Sequence, residues 1–326
     1  MKTRSLARRS MRQKDDGRYR SATSYNVAYR TRYGALYQGL AEDVLALRQF
    51  KRYRGKVQLI FTSPPFPLNR KKVYGNRQGE EYRAWLVSFA KRFRELLTKD
   101  GSIAIEMGNA WEPGKPVMST LAIKTLLDFL DSGNLYLCQQ FVAYNRARLP
   151  SPAQWVNVER NRVKDSFTHI WWMSPSMRPR ADNTQVLKPY SSAMTRLLST
   201  RKYNSGRRPS EHTIGSCSFL RDNGGAIPSN VLLATNTQSI DEYLEFCRQQ
   251  RLPLQPARMP KVLPEFFIKF LTQEGDLVLD PFAGSNTTGA VAESLDRRWI
   301  SIEPNQDYVR GSIGRFPQLM KRKLQT

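Results

Sequence analysis

The sequence predicts an α/β protein, a doubly wound, Rossmann-like sheet built from both ends of the chain and interrupted by an inserted smaller region. Three observations carry this expectation. Strand and helix signals alternate from about residue 33 to residue 150, the rhythm of a sheet covered by helices on both faces. The rhythm returns after Pro253 and Pro256. Between them, residues 151–254 are turn-rich, basic and weakly periodic.

The elements follow in order. Residues 1–24 are rich in Arg and Ser, and Asp15 and Asp16 interrupt any amphipathic helix, so they read as a flexible basic arm without an apolar signal core. "YGALYQGLAEDVLALRQF" gives a short strand and then an apolar-periodic helix, and "KVQLIFT" is a buried strand. "EEYRAWLVSFAKRFRELLTKDG" places Tyr82, Trp85, Leu86, Phe89, Phe93, Leu96 and Leu97 on one face of a single helix, with Gly101 as its stop. "SIAIEMG" is a strand, "PVMSTLAIKTLLDFLDSG" a helix and "NLYLCQQFVAY" a strand. The middle region holds one clear strand, "FTHIWWMS", whose Trp171 and Trp172 read as core. "LPEFFIKFLTQEG" is a helix with Pro264 near its start and Gly275 beyond its end. "DLVLDPFAGSNTTGAVAESL" is strand, loop and helix, and "RRWISIEP" a final strand.

Composition narrows the partners. A formal charge of +24, from 52 basic and 28 acidic residues, attracts polyanions: nucleic acid or an anionic membrane. No apolar run approaches the roughly 18 residues of a spanning helix. Cys138, Cys217 and Cys247 lack metal-ligand spacing and only His169 and His212 could join them, so no metal site and a reducing, cytoplasmic setting are expected.

Two stretches carry chemistry. The buried strand ending at Thr62 runs into Ser63-Pro64-Pro65-Phe66. Proline fixes φ and removes an N–H, so the tandem pair neither continues the ladder nor starts a helix. The result is a stiff corner that holds the Ser63 hydroxyl and the carbonyls of Ser63 and Pro64 beside the Phe66 ring. The second stretch, "LVLDPFAGSNTTG", has the strand, turn and helix start of a nucleotide-type site. It is not a P-loop, because Ala290 stands where the lysine belongs, nor G-x-G-x-x-G, because Asn286 replaces the second glycine. Asp280 at the strand end would repel a pyrophosphate. It suits a ligand with a positive end, such as the ammonium and sulfonium of S-adenosyl-L-methionine, whose carboxylate could meet the N–H groups and hydroxyls of Ser285, Asn286, Thr287 and Thr288. Glu303, about twenty residues on, stands where an acidic group takes ribose hydroxyls.

Thr62-Ser63-Pro64-Pro65-Phe66 resembles the catalytic motif of DNA amino-methyltransferases, and Asp280-Pro-Phe-Ala-Gly284 with Asn286-Thr-Thr-Gly289 resembles their cofactor motif. Catalytic motif first and cofactor motif last is the order of the circularly permuted β class, and the resemblance is greatest to the N4-cytosine enzymes of restriction-modification systems, of the PvuII methyltransferase type. "RKKVYGN", "LPSPAQWVN", "RVKDSFTHIWW", "DNGGAIPSN" and "ARMPKVLPEFFIKFLT" extend it over most of the chain. The resemblance implies site-specific transfer of a methyl group from S-adenosyl-L-methionine to the N4 amine of a cytosine flipped out of double-stranded DNA. Ser63, Pro64, Pro65 and Phe66 are then catalytic. Asp280, Phe282, Gly284, the loop 285–288 and Glu303 hold the cofactor, and Asp43 lies near its adenine or is merely a solvent-facing charge at a helix start. Residues 25–150 become the catalytic half, 255–326 the cofactor half and 151–254 the target-recognition region. There Arg160, Arg162, Lys164, Arg201, Lys202, Arg207 and Arg208 are candidates for DNA contacts. A monomer in a prokaryotic or phage-infected cytoplasm, with a cognate endonuclease sharing its site, completes the expectation. The competing readings are an N6-adenine enzyme of the same fold, an RNA methyltransferase and a non-catalytic DNA-binding protein.

Overall fold

The structure, a computed structural model, describes residues 26–66, 77–235 and 241–323. The basic arm 1–24 and the "RKKVYGN" stretch lie outside them. In chain order the sheet strands are β1 (Val27–Arg30), β2 (Gly34–Gln38), β3 (Val57–Thr62), β4 (Leu97–Gly108), β5 (Tyr136–Tyr144) and β6 (Phe167–Ser174). A two-stranded ribbon, β7 (Gly206–Arg207) with β8 (Thr213–Ile214), comes next, then β9 (Val231–Leu233), β10 (Leu277–Asp280) and β11 (Arg298–Glu303). The nine sheet strands lie in the order β1-β2-β11-β10-β3-β4-β6-β5-β9. The run β2, β11, β10, β3, β4 is parallel, while β1 and β6 run antiparallel to their neighbours.

Helices cover both faces. One face packs on α1 (Ala41–Ala46), α2 (Gly79–Val87), α3 (Ala90–Leu96) and α4 (Leu121–Gly133), with Val44, Tyr82, Phe93 and Phe129 meeting Ile60, Ile103, Leu279 and Ile300. The chain between β6 and β7 carries α5 (Ser192–Thr200), and α6 (Glu242–Gln249) precedes the second layer. That layer is α7 (Val262–Leu271), α8 (Thr287–Ser294) and α9 (Gln306–Ser312), followed by α10 (Pro317–Lys323). Leu263, Phe267 and Val291 of this layer meet Leu59, Phe61, Val278 and Trp299. Successive strand residues thus serve opposite cores, which is why β3 and β10 read as unbroken apolar runs.

Three expectations change. The helix expected over residues 80–101 is two helices, broken at Ser88–Phe89, where Ser88 Oγ donates to the Trp85 carbonyl (2.6 Å) and competes with the helical ladder. The chain is already extended at Leu97, which pairs with Val57. β1 precedes the strand read at residues 33–38 and closes that edge of the sheet. Finally, residues 151–254 do not stand apart from the sheet. β6 lies between β4 and β5, and β9 pairs with the end of β5. Trp171 and Trp172 are buried there, with Trp172 Nε1 donating to Ser102 Oγ (2.9 Å).

Candidate active site

The carboxyl ends of β11, β10, β3 and β4 stand side by side, presenting Glu303, Asp280, Thr62–Ser63 and Glu106–Gly108 in that order. With neighbouring strands about 4.8 Å apart, Glu303 and Ser63 lie two spacings, roughly 10 Å, from each other across the edge. One bond ties the two motifs: Thr62 Oγ1 donates to Asp280 Oδ1 at 2.7 Å, both groups buried.

Beyond Thr62 the backbone is irregular through Phe66, with Pro64 buried and Ser63, Pro65 and Phe66 half-buried. The Phe66 ring rests on Gly108 at the end of β4, where a Cβ would come within 2.5 Å of its Cδ2. Only glycine allows that approach. Two residues earlier stands Glu106, a further candidate whose signal in the sequence is a lone carboxylate inside the apolar run "SIAIEMG". Its buried carboxyl accepts from Thr168 Oγ1 (2.9 Å) and from the Ser63 hydroxyl. Burial raises its pKa, against these two bonds and the nearby charge of Arg148.

On the other motif, Asp280 is wholly buried, and burial raises its pKa against hydrogen bonds from the Thr62 hydroxyl and the Phe282 N–H. Glu303 is buried too, accepting from the Gly284 N–H (2.8 Å) and the Asn305 N–H (2.9 Å). Burial pushes it up to about 7, the two N–H groups oppose this, and the Asp280 charge adds to it. Gly284 turns the loop at φ +54°, a left-handed conformation suited to glycine. Asn286 is left-handed as well, at φ +56°, and its side chain explains how it replaces glycine. Its Oδ1 accepts from Ser301 Oγ (2.6 Å) and the Gly289 N–H (3.2 Å), and its Nδ2 donates to Tyr29 Oη (3.0 Å). Thr287 and Thr288 are buried at the start of α8. The Phe282 ring packs against Trp85 and Phe89, at 5.3 and 5.4 Å between centroids.

Two supports of this loop were not legible in the sequence. Gln255 Oε1 accepts the Ser285 N–H (2.9 Å), so that donor is engaged within the protein. Arg315 donates through Nε to the Ser285 carbonyl (2.7 Å) and through Nη2 to its hydroxyl (3.2 Å), lies over the Tyr243 ring, and pairs with Asp241 at 3.6 Å.

The remaining candidates divide. Asp43 sits half-buried in the first turn of α1, which begins just past β2, where the Gly39 N–H donates to the Glu303 carbonyl. It therefore borders the cofactor side of the edge without bonding to either motif. Arg160, Arg162 and Lys164 are exposed on the connection between β5 and β6, at this same edge. Arg162 and Lys164 donate to backbone carbonyls and brace that connection. Arg201 ends α5 and Lys202 follows it, both exposed, while Arg207 pairs with Glu211 (3.7 Å) and Arg208 donates to the Asn204 carbonyl on the ribbon. No hydrogen bond among the described residues joins that ribbon to the motif loops. Among the described residues no group of His, Cys, Asp and Glu could hold a metal ion, and no helix is long and apolar enough to cross a membrane.

An α/β sheet with a proline-stiffened acceptor corner and an acidic, glycine-turned loop on adjacent strands defines a group-transfer enzyme. The DNA methylase family model for N6- and N4-specific enzymes matches residues 57–314, and the chain belongs to that family. It is 43% identical over 291 residues to the type II methyltransferase M.PvuII of Proteus hauseri, covering 89% of this chain and 85% of that protein. The solved PvuII DNA methyltransferase, described as cytosine-N4-specific, superposes with a TM-score of 0.71 at 36% identity, over 90% of this chain and 89% of that one. The M1.HpyAVI–SAM complex, at 19% identity and a TM-score of 0.52 over 87% of this chain and 99% of that one, shares the fold.

Proposed function

We propose that this DNA methyltransferase transfers a methyl group from S-adenosyl-L-methionine to the N4 amine of cytosine within a specific double-stranded DNA sequence. The observation that carries the reading is the Thr62–Asp280 bond, which fixes the Ser63–Phe66 corner beside the acidic loop. The donor set fits the cofactor. Two buried carboxyls with raised pKa values gain most from a ligand that brings a positive charge and hydroxyl donors, and would repel a pyrophosphate. Asp280 would meet the ammonium, Glu303 the ribose hydroxyls, and Phe282 with the loop 284–288 the remainder. When bound, the cofactor supplies an electrophilic methyl group.

The chain's own residues do the rest. A paired cytosine must leave the stack to reach a corner at a sheet edge. Phe66, backed by Gly108, offers it a flat face. The carbonyl of Pro64 and the hydroxyl of Ser63 accept from the amino protons and draw the nitrogen toward a tetrahedral, nucleophilic geometry. Because the Ser63 hydroxyl donates to Glu106, its lone pairs are turned toward the base, and Glu106 can receive the proton the amine sheds. Catalysis is then positioning, electrostatics and one proton transfer. In this reading the protein acts as a monomer in the cytoplasm of a prokaryote or phage-infected cell and shields its sites from a cognate endonuclease. Arg160, Arg207 and Arg208 serve DNA contacts, and Asp43 the adenine side of the cofactor.

The product tests this directly. Methylated DNA digested to nucleosides should contain N4-methylcytosine and neither N6-methyladenine nor 5-methylcytosine by chromatography with mass spectrometry. Ser63→Ala should slow transfer more than it weakens DNA binding. N6-methyladenine as the sole product would overturn the reading.

A further inference from the structure

The connection between β5 and β6, residues 145–166, rises from the carboxyl edge immediately beside β4. It carries the two most exposed large apolar side chains among the described residues, Val163 at 86% and Leu149 at 81%. Scattered apolar exposure is ordinary. These two are not scattered. Lys164, next to Val163, donates to the carbonyls of Arg146 and Arg148 (3.0 and 3.3 Å), the residues leading to Leu149. On the other side of Val163, Arg162 donates to the Pro116 carbonyl (2.7 Å) in the loop after β4. The Asp165 N–H donates to the Ser151 carbonyl (3.0 Å), closing the two arms of the connection on each other.

The same connection is pinned to the catalytic corner. Asn109 Nδ2 donates to Asp165 Oδ1 at 2.8 Å, and Asn109 directly follows the Gly108 on which Phe66 lies. Two aliphatic tips are thus held out, on a braced loop, a few residues from the face offered to the target base. Arg146 beside them is exposed, while Arg148, Arg162 and Lys164 are held on backbone carbonyls, so the loop is both stiff and basic, a setting suited to a polyanion rather than to another apolar surface. Extruding a base leaves a gap in the stack, and apolar side chains inserted between base steps, from loops whose cations hold the backbone, fill such gaps.

We infer that Val163 and Leu149 form a wedge that enters the DNA stack at the target cytosine and stabilises the duplex with that base extruded. The inference rests on the reading of Ser63–Phe66 as the receiver of a flipped cytosine, and it assigns the opposite task to a different loop.

The test separates extrusion from chemistry. The Val163→Ala, Leu149→Ala double variant is compared with the wild type on two duplexes carrying the mapped site, one normally paired and one with an abasic residue opposite the target cytosine. The paired duplex should lose about tenfold or more in kcat/KM, and the abasic duplex should recover to within about twofold of wild type, because its target no longer has a partner to leave. Fluorescence of 2-aminopurine at the target position should rise on binding the wild type and fail to rise with the double variant, whatever product the wild type makes. A Val163→Ile, Leu149→Met variant should keep both signals. Equal losses on the two duplexes, or undiminished fluorescence with the double variant, would overturn the wedge.

Discussion

Binding of S-adenosyl-L-methionine should release a proton from Glu303. In the free protein burial holds this carboxyl at about 7, so near neutrality it is half protonated. A carboxyl that accepts ribose hydroxyls in addition to the Gly284 and Asn305 N–H groups is favoured in its ionised form. A positive ligand charge beside Asp280 also removes the repulsion that helps raise Glu303. If only the ionised form binds, release should be about 0.9 proton at about pH 6, 0.5 at about pH 7 and 0.1 at about pH 8, and affinity should rise about tenfold over that range. Stability of the free protein has the opposite sign. The folded-state pKa is raised, so this contribution is full below the unfolded value and lost as pH rises through about 7. Titration calorimetry in two buffers of different ionisation enthalpy measures the proton count. Glu303→Gln keeps the shape, removes the titration and should flatten both the proton release and the affinity profile. A wild type that releases no proton, or a Gln variant that releases as many, would refute this account of Glu303.

Two further outcomes follow from contacts around the loops. Gly108→Ala places a Cβ within 2.5 Å of the Phe66 ring and should dislodge it, lowering kcat/KM by on the order of ten- to a hundredfold through lost base stacking, with cofactor affinity in calorimetry unchanged. Arg315→Met removes two bonds to Ser285 and the pairing with Asp241, and should raise the KM for S-adenosyl-L-methionine several-fold with little change in kcat, a split that initial-rate kinetics reads directly.

What was legible in the sequence was whatever lies within one element. β3 announces itself as an apolar run closed by Pro64 and Pro65, and β10 by an apolar run closed by Asp280. What was not legible was strand order. β6 follows a long irregular stretch, so its sequence position sets it among residues 151–254, yet its antiparallel bonds to β4 place it inside the sheet. The supports of the loop after β10 are hidden for the same reason: Gln255 and Arg315 each reach Ser285 from 30 residues away, and neither carries a local pattern that separates it from a surface side chain. Arg162 and Lys164 show the converse, since cations that suit phosphates by composition also brace carbonyls, and only the folded loop separates the two roles.

Thr62 and Asp280 are 218 residues apart, and nothing between them states that they touch. Their meeting follows from the pairing of β3 with β10, Leu59 opposite Val278 and Ile60 opposite Leu279, which brings both strands to the same edge in register. A slip of one residue would turn Asp280 to the opposite face and leave its carboxyl among the apolar side chains of one core. The buried Thr62–Asp280 bond penalises such a slip, because an unpaired buried carboxylate costs far more than a lost surface contact. The residue that suits the cofactor's charge therefore also helps set the register that delivers the acceptor corner beside it.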